Sequence, residues 1–333
     1  MTKITLSYGS GGTLMHKLID SLFMREFDND ILRQKKDSAL LKVGNKKIAF
    51  TTDSYVVKPI FFPGGDIGSL AVYGTVNDLA VCGAKPLYIS LGLIIEEGLD
   101  VKVLEKISKS IAAAAKKSGV LVVTGDTKVV EKGACDKIFI NTSGVGEVYY
   151  EKLSLNYIKA GDTVIVTGAI GDHAISVLSK REGIGFKAKV KSDSAPLNRL
   201  ISDILKVSSK VKFMRDPTRG GVATTLNEMV KDRRFGILLD EINLPVSEGV
   251  RHSSELLGFD PLYLACEGRV IVIVSHQDAA KVLKVMHKTR EGRGAKIIGH
   301  VTADYKGKVV LQTLSGGKRI VDMLSGEQLP RIC

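Results

Sequence analysis

The sequence has no tryptophan and only 6% aromatic residues, so it offers few rings on which nucleic-acid bases could stack. Its formal net charge of +12 favours anionic partners. The lysines and arginines are nevertheless spread along the chain and form no basic cluster. These features argue against a nucleic-acid partner, and we expect the positive charge to serve phosphate chemistry instead.

Long apolar runs and close cysteine pairs are also missing. No apolar run is long enough to span a bilayer, and the first residues lack the apolar stretch of a signal peptide. We therefore expect a soluble, cytoplasmic protein with no membrane partner. The four cysteines lie far apart without a C-x-x-C pair, which excludes a zinc ribbon and a disulfide framework. Cys82 and Cys266 lie in apolar surroundings and are predicted to be inert core thiols.

The sequence does have enough length for more than one core. A chain of 333 residues exceeds what a single hydrophobic core usually supports, and strand and helix patterns alternate in both halves. We predict an α+β fold with domains at residues 1–150 and 151–312 and a mobile tail at 313–333, where the pattern fades. The predicted helices are 13–27, 68–81, 100–118, 172–181, 197–208, 221–232 and 277–289. The predicted strands are 48–52, 86–95, 120–123 (buried, ending at 124–126), 137–148, 163–167, 269–274 and 296–301.

The last residue of the sequence is a cysteine, Cys333. Chain termini are the most mobile part of most domains, and sulfur is the best nucleophile among side chains. A mobile nucleophile suggests a carrier arm that is loaded in one place and reacts in another. A cysteine can also fall at this position by chance, and the residues of the tail alone leave both interpretations open.

Three acidic residues of the first half, Asp53, Asp78 and Asp126, end or follow apolar segments. Such carboxylates are typical magnesium ligands, although each alone also suits a helix cap or a turn. The loop Ser7–Gly12 contains three glycines and enters a helix, so its amides could converge on phosphate oxygens. It matches neither a Walker loop nor a Rossmann fingerprint. Together these features favour a magnesium–nucleotide site, to which the nearby Lys128 would add charge if it is not simply a surface lysine.

Two further polar features lie in the second half. Residues 215–221 (Arg-Asp-Pro-Thr-Arg-Gly-Gly) precede a helix and fit an anion-binding helix entry or an Asp-Pro turn that caps the helix. Glu267 stands between apolar segments, where burial would raise its pKa and suit it to acid–base chemistry. It could equally pair with an arginine.

These segments together resemble the AIR-synthetase-related ATP-binding superfamily, and within it the HypE family of carbamoyl dehydratases. The resemblance spans nearly the whole chain in order, and the terminal segment is the part specific to the HypE family. Tyr8 departs from the histidine expected in the glycine loop. The segments that carry the resemblance are 9–12 (Gly-Ser-Gly-Gly), 51–54 (Thr-Thr-Asp-Ser), 74–80 (Gly-Thr-Val-Asn-Asp-Leu-Ala), 125–130 (Gly-Asp-Thr-Lys-Val-Val), 215–221, 266–268 (Cys-Glu-Gly) and 330–333 (Pro-Arg-Ile-Cys).

The resemblance implies a homodimer whose N-terminal, ATP-binding domains pair through a β-barrel, followed by an α/β domain and a flexible tail. It also implies a reaction in which the carbamoyltransferase HypF loads the terminal thiol with a carbamoyl group. ATP then drives dehydration of this S-carboxamide to a thiocyanate. The cyano group passes to iron on a HypC–HypD complex during maturation of NiFe hydrogenases.

The resemblance also assigns roles to residues of this chain, with ATP and Mg²⁺ as cofactors. Cys333 carries the substrate, Lys128 neutralises phosphate charge and Glu267 removes protons from the amide nitrogen. Mg²⁺ would be held by Asp53, Asp78 and Asp126. The residues predicted to bind ATP are Gly9, Ser10, Gly11, Gly12, Asp53, Asn77, Asp78, Asp126, Asp216 and Arg219.

Other functions remain open at this stage. A selenophosphate synthetase would be expected to carry a reactive cysteine beside the glycine loop, and residues 7–12 contain none. A small-molecule kinase or ligase of the superfamily would use the same ATP site but gives no reason for a terminal cysteine. A third possibility is an ATP-binding scaffold whose tail only docks a partner.

Overall fold

Two β-sheets organise the chain, one in each half of the sequence. The computed structural model describes residues 3–181 and 189–324. Cys333 and the segment 330–333 therefore lie outside the described residues. The mixture of helices and sheets in both halves confirms the predicted α+β class.

The N-terminal half begins with a helical segment and continues into a five-stranded sheet. The first helix, α1, is followed without a break by a π-helical turn, Ile19–Phe23, and by α2, so the predicted helix at 13–27 is confirmed. The helices are α1 Thr13–Leu18, α2 Met24–Glu26, α3 Ile67–Val81 and α4 Val101–Ser118. The strands are β1 Ala39–Val43, β2 Lys46–Tyr55, β3 Phe61–Phe62, β4 Gly65–Asp66, β5 Ala84–Glu96, β6 Leu121–Val130 and β7 Ile138–Val148.

The N-terminal sheet has the order β1-β2-β7-β5-β6, with α3 and α4 covering one of its faces. Helix α3 begins with a capping box, in which the Asp66 carboxylate accepts from the amide of Ser69 and the Ser69 hydroxyl accepts from the amide of Asp66. Helix α4 has the predicted acidic cap, because the carboxylate of Asp100, the residue before the helix, accepts a hydrogen bond from the amide of Lys102. The capping box sets the first residue of α3, the helix that carries two of the predicted site residues.

The prediction for β6 was wrong in two respects. The strand does not end at 124–126 but continues to Val130, and it is exposed along most of its length, with Leu121 64% and Val129 68% exposed. The reason is its position, because β6 pairs only with β5 and forms the open edge of the sheet. Among the residues described, the N-terminal sheet has two free edges and does not close into a barrel.

The C-terminal half forms a seven-stranded sheet with the order β14-β13-β10-β12-β8-β11-β9. Helix α7 packs on one face, and α6 and α9 pack on the other. The strands are β8 Thr163–Val166, β9 Val211–Arg215, β10 Gly236–Asp240, β11 Ile271–Val274, β12 Lys296–Thr302, β13 Val309–Gln312 and β14 Lys318–Val321. The helices are α5 Asp172–Leu178, α6 Asn198–Val207, α7 Gly221–Val230, α8 Glu248–Leu257 and α9 His276–His287.

The sequence pattern predicted that regular structure stops near residue 313. This prediction was wrong, because strand β14 follows. Strand β14 pairs with β13 in antiparallel register, with Val321 opposite Val309, and both valines are fully buried. The segment is short and half of its residues are charged, so its single buried position is too weak a pattern to predict a strand. The predicted domain limits and the mobility of the tail stay predictions. In the part of the chain described, no helix combines the length and apolar character needed to cross a membrane.

The two halves make direct contact through the turn between β3 and β4. The carbonyl of Pro63 accepts hydrogen bonds from the amide of Ser192 at 2.7 Å and from the hydroxyl of Ser176 at 2.6 Å. The His173 ring on α5 meets the Phe62 ring edge-on, with 5.3 Å between ring centroids. His173 is fully buried, and its Nδ1 lies 2.9 Å from the Ser192 hydroxyl.

This buried histidine predicts a specific pH dependence of stability. Burial lowers the pKa of His173 from 6.5 to about 3, so the folded state keeps the ring neutral while the unfolded chain takes up a proton below pH 6.5. The resulting stabilisation is present above pH 6.5 and is lost as the pH falls towards 3, by about 2 kcal/mol between pH 7.5 and 5.0. We therefore expect the stability difference between the wild type and His173→Asn, measured by urea unfolding, to shrink by about that amount. The exposed His252→Asn is the control, and an equal shift there or none at His173 would contradict the prediction.

Candidate active site

A cavity of about 240 Å³ lies where α3 and β2 of the N-terminal half meet the segment between β9 and α7 of the C-terminal half. It joins side chains that are far apart in the sequence, and most of them are charged or polar. Asp53, Asp78, Asp216, Arg219 and Gly11, all predicted from the sequence, lie together in its wall. The complete lining is Gly11, Met15, Asp37, Thr51, Thr52, Asp53, Asp78, Arg215, Asp216, Thr218, Arg219, Thr225 and Glu228.

Negative charge is concentrated in this cavity. The pKa of Asp78 is raised well above its usual value by burial, and by the carboxylates of Asp216, Asp37 and Asp53. Burial, followed by the charge of Asp37, raises the pKa of Asp216 to about 7. The hydroxyl of Thr51 donates to Asp78 Oδ2 at 3.0 Å. Carboxylates held this closely repel one another, so the cavity favours a bound cation.

Two arginines offset part of this charge in different ways. Arg215 is buried and pairs with Asp37 at 2.9 Å and with Glu228 at 2.7 Å. Burial acts to lower the pKa of Arg215, but these two carboxylates outweigh it and raise the pKa. Arg219 is partly exposed and pairs with Asp53 at 3.1 Å. Arg215 is thus fixed within the protein, whereas Arg219 lies where it can also meet a phosphate.

The glycine loop reaches this cavity only at its end. Gly11 has φ +81°, and a Cβ there would approach Cβ of Arg219 to 2.6 Å, so both the conformation and the space require glycine. A Cβ on Gly12 would lie 2.2 Å from the carbonyl oxygen of Leu324. That carbonyl also accepts a hydrogen bond from the amide of Thr13 at 2.9 Å. The chain therefore leaves its last described residue, Leu324, beside the cavity.

Gly9 and Ser10 stand apart from the cavity. Gly9 ends a short 3₁₀ turn, Leu6–Gly9, and the Ser10 hydroxyl donates to the carbonyl of Ser7 at 2.8 Å. Neither residue lines the cavity. Their predicted contact with ATP stays a prediction.

Glu267 is buried, and its backbone is held on both sides. Its amide donates to Asp193 Oδ1 at 3.2 Å, and its carbonyl accepts from Nδ2 of Asn77 at 3.4 Å. Burial, and then the charges of Asp216, Asp53 and Asp193, raise its pKa well above the usual value, while Arg219 opposes them. Glu267 does not line the cavity, although the charges of two cavity residues, Asp216 and Asp53, act on its carboxyl group. Its role as the base stays a prediction.

Asn77 has a structural role that the sequence did not predict. Its side-chain amide donates to the carbonyl of Ala195 at 3.1 Å as well as to Glu267, and its Oδ1 accepts from the amide of Leu197 at 2.8 Å. These bonds fasten α3 to the C-terminal half and use both ends of the amide. Asn77 does not line the cavity, and its predicted contact with ATP stays a prediction.

Asp126 and Lys128 do not join the cavity within one chain. Both lie on β6. A row of paired residues crosses the sheet from Asp126 on β6 through Gly92 on β5 and Asn141 on β7 to Ser54 on β2. Asp53 lies on the helix-covered face of β2, and successive side chains of a strand point to opposite faces. Ser54 and the rest of its row therefore lie on the outer face of the sheet. Three strand spacings, about 14 Å, separate the two aspartates along the sheet. Asp126 and Lys128 form an exposed ion pair at 3.7 Å.

The carboxylates of the cavity fit a magnesium ion that is completed by phosphate. Among residues 3–181 and 189–324, no three His, Cys, Asp or Glu side chains converge closely enough to hold a metal by themselves. Magnesium usually takes only one or two carboxylates and completes its shell with water and substrate phosphates. Asp53 and Asp78, whose surroundings favour a cation, suit this arrangement, and Asp126 of the same chain does not.

Several charged residues of the site could not be predicted from the sequence. Asp37 and Glu228 line the cavity, and both bond to Arg215. They lie 178 and 13 residues from Arg215 in the sequence. Glu228 also contacts Nε2 of His16 at 2.8 Å. Asp193 accepts the hydrogen bond from the amide of Glu267. No spacing rule connects such distant positions.

The cysteines follow the sequence prediction where they are described. Cys82 and Cys266 are buried, at 7% and 0% exposure. Burial raises the pKa of Cys82 to about 12 and that of Cys266 well above its ordinary value. Both thiols are therefore inert near neutral pH.

Comparison with known proteins places the chain in a family. Residues 35–148 match the N-terminal domain of AIR synthase related proteins, and residues 159–312 match the C-terminal domain. The chain is 47% identical to the carbamoyl dehydratase HypE of Rhizobium leguminosarum bv. viciae, over 99% of this chain and 95% of that protein.

Solved structures give the same result at the level of the fold. A crystal structure of the hydrogenase maturation protein HypE in complex with ATP is 48% identical, with a TM-score of 0.82 over 98% of each chain. A HypE–HypF complex contains a chain that is 48% identical, with a TM-score of 0.87 over 92% of this chain and 99% of that one. Two matched domains, nearly complete coverage and this level of identity lead to one conclusion: the chain belongs to the AIR synthase related family and, within it, to the HypE carbamoyl dehydratases.

Proposed function

We propose that this protein uses ATP to dehydrate an S-carboxamide on Cys333 to a thiocyanate, which supplies the cyanide ligand of iron in NiFe-hydrogenase maturation. The observation that carries the proposal is the position of Leu324, whose carbonyl bonds to Thr13 beside the cavity. Cys333 lies nine residues further along the chain. Nine residues span at most about 30 Å, so the thiol is tethered within reach of the site.

The chemistry needs groups of the kind that the cavity provides. The amide oxygen of R–S–C(=O)NH₂ is a poor leaving group. It attacks the γ-phosphorus of ATP and releases ADP, while the nitrogen loses one proton, to give R–S–C(=NH)–OPO₃²⁻. Cleavage of the C–O bond then releases phosphate, and removal of the second N–H proton gives R–S–C≡N. Arg219 stands at the cavity wall to neutralise phosphate charge, and Glu267 is the group we assign to take the proton. When bound, Mg²⁺ would neutralise charge on the triphosphate, and Asp53 and Asp78 would hold it.

Intact-mass spectrometry tests this function directly. The protein is incubated with ATP, carbamoyl phosphate and a HypF carbamoyltransferase, and its terminal peptide is analysed over time. We expect this peptide first to gain one carbamoyl group and then to lose the mass of one water. A terminal peptide that stays unmodified while the transferase is active would contradict the proposal, and would leave the ATP-binding scaffold as the better description.

We further propose a homodimer that forms across the outer face of the N-terminal sheet. Phe50, Val145, Tyr88 and Leu121 lie opposite one another in a row across four strands on this face. Phe50, Tyr88 and Leu121 are between 41% and 64% exposed. A row of half-exposed apolar side chains beside a free edge strand is typical of an interface. Pairing of two such sheets would form the predicted barrel and would place Asp126 and Lys128 at the interface, where they could serve the ATP of the partner subunit.

The dimer predicts a large effect of charge on this face. Leu121→Glu puts a carboxylate into the proposed interface, so we expect a shift from dimer to monomer in multi-angle light scattering at micromolar concentration. The matched control is Leu256→Glu, because Leu256 is 70% exposed on α8 of the other half. A wild-type protein that is monomeric, or a Leu121→Glu protein that stays dimeric, would contradict the interface.

Asp78 provides a test of the metal–nucleotide assignment. Asp78→Asn keeps an oxygen that can accept from Thr51 but removes the buried negative charge. We expect Mg²⁺–ATP to bind at least ~10-fold more weakly, because one hard oxygen ligand is lost, while folding is retained. Isothermal titration with Mg²⁺–ATP measures the change, and the exposed Asp304→Asn is the control. Unchanged affinity in Asp78→Asn would remove this residue from the site.

We also propose that HypF and an iron-carrying HypC–HypD complex are the partners that load and unload Cys333. A HypF complex is known for a close relative, and the second partner follows from the family's role in assembling the iron centre. A cytoplasmic location agrees with this role.

A further inference from the structure

A second and larger concave surface lies on another part of the boundary between the two halves, and it shares no residue with the candidate active site. We call it the interdomain cleft. It is formed by the end of α4, the start of β5 and the end of β7 on one side, and by the first turns of α6 and the segment after α9 on the other. Its volume of about 1330 Å³ exceeds the 300–1,000 Å³ of typical small-molecule pockets.

The cleft carries an excess of unpaired positive charge. Of the nine charged residues in its wall, six are lysines or arginines. Within the described ranges, five of the six form no ion pair with a carboxylate, the exception being Lys206 with Asp203 at 3.4 Å. The five are Lys85, Lys116, Lys117, Arg199 and Arg290. Such a concentration in one concave surface attracts an anionic partner.

The floor of the cleft also contains buried polar atoms that lack partners. The hydroxyl of Ser118, a residue only 5% exposed, makes no hydrogen bond in the described structure, and neither does Oδ1 of Asn198. The two residues are neighbours, because Nδ2 of Asn198 donates to the carbonyl of Ser118 at 2.8 Å. Buried polar atoms are nearly always hydrogen-bonded in folded proteins. These two therefore point to a ligand that both donates and accepts hydrogen bonds.

The first turn of α6 adds an anion-binding element at the same place. This ten-residue helix begins at Asn198 without any side-chain cap, so its first amides have no partner within the helix. Asn198, Arg199 and Leu200, the residues of this turn, all line the cleft. Free amides at a helix N-terminus bind carboxylate or phosphate groups.

Apolar side chains complete the wall between the charged groups. Pro86, Val148, Tyr149 and Leu200 all line the cleft, and the Tyr149 side chain is 46% exposed. An extended peptide satisfies all of these features at once. Its backbone supplies donors for Asn198 Oδ1 and acceptors for Ser118, its acidic side chains meet the lysines and the α6 amides, and its apolar side chains cover the floor.

We propose that the interdomain cleft docks an acidic, extended segment of a partner protein. A small anion would occupy the first turn of α6 but would leave most of the cleft and its other cations without contact. The surface is separate from the ATP cavity, so the proposal stands independently of the proposed function.

The test uses the full-length protein and a fluorescein-labelled nine-residue peptide in which Asp and Glu alternate with Leu and Tyr. Fluorescence anisotropy at moderate salt measures its binding. We expect micromolar affinity, and binding at least 10-fold weaker for the same peptide with Asn and Gln in place of the acids. Lys116→Glu combined with Arg199→Glu should weaken binding at least 10-fold. The control is Lys102→Glu combined with Lys109→Glu, which makes the same charge change on exposed positions of α4 outside the cleft.

Several outcomes would overturn the proposal. Equal losses in both double variants would show that only the overall charge is sensed. Displacement of the peptide by inorganic phosphate at a lower concentration than by unlabelled peptide would show a small-anion site. A photo-cross-linking version of the peptide that labels residues outside the cleft would place the interaction elsewhere. Asp78→Asn should bind the peptide like the wild type, which separates this test from that of the ATP site.

Discussion

Replacing Cys333 by serine should abolish the carbamoyl-dependent turnover of ATP, with a loss of at least ~10³-fold. The thiolate is the reactive form of cysteine, and a serine hydroxyl is barely ionised near neutral pH, so the carbamoyl group has no comparable acceptor. Phosphate release in the presence of carbamoyl phosphate and the transferase measures the effect. Binding of Mg²⁺–ATP should remain within a factor of three, because the cavity residues that we assign to Mg²⁺ and phosphate, Asp53, Asp78 and Arg219, are unchanged.

The control variants for this prediction are the other cysteines. Cys82 and Cys266 are buried in the cores, and Cys135 is also buried, at 8% exposure. Burial raises the pKa of all three thiols, so none can replace Cys333 as the acceptor. Cys135→Ser should keep full turnover and should accept the carbamoyl group at Cys333. If Cys333→Ser retains ATP turnover that depends on carbamoyl phosphate, the carrier role is wrong.

A shorter tether would test the same idea in geometric terms. Deleting three of the eight residues between Leu324 and Cys333 makes the cysteine the sixth residue after Leu324, and six residues span at most about 20 Å. The rates of loading by the transferase and of dehydration at the cavity should then fall by different factors, because the thiol has a different distance to travel in each step. Equal effects on both steps would show that the two sites lie at similar distances from Leu324.

The elements of the fold followed from the sequence where local patterns are strong. The helices α3 and α4 were predicted to within a residue or two, α3 from its run of small residues and α4 from its acidic cap at Asp100. Strand β14 was missed because only Val321 of its four residues is buried, which leaves no alternation to detect. The exposure of β6 was missed because this edge strand has the same apolar composition as a buried strand.

The site was predictable in its residue types and much less so in its geometry. Asp53, Asp78, Asp216 and Arg219 belong to motifs and do meet in one cavity. Asp126 belongs to an equally good motif, yet β6 presents it on the opposite face of the sheet. Strand order and register decide this difference, and both depend on long-range pairing that a local pattern does not contain. The same holds for Asn77, whose bonds reach residues more than a hundred positions away.

Glu267 carries the second prediction with a large expected effect. Glu267→Gln keeps the size and the hydrogen-bonding backbone of this position but removes the group that accepts a proton. We expect the conversion of the S-carboxamide to the thiocyanate to slow by roughly 10²–10⁴-fold, the usual contribution of a positioned base. Carbamoylation of Cys333 by the transferase and binding of Mg²⁺–ATP should remain within a factor of three. Single-turnover mass spectrometry of the loaded protein separates these steps.

The pH dependence of the same step gives an independent test of the role of Glu267. Burial and the charges of Asp216, Asp53 and Asp193 raise its pKa well above the usual value, so its carboxylate fraction, and with it the rate, should increase with pH on the acidic side. A cation bound among Asp53 and Asp78 would lower this pKa and shift the rise to lower pH. This limb should be absent in Glu267→Gln and unchanged in Glu255→Gln, an exposed position on α8. A Glu267→Gln protein with the wild-type rate and profile would show that another group removes the proton.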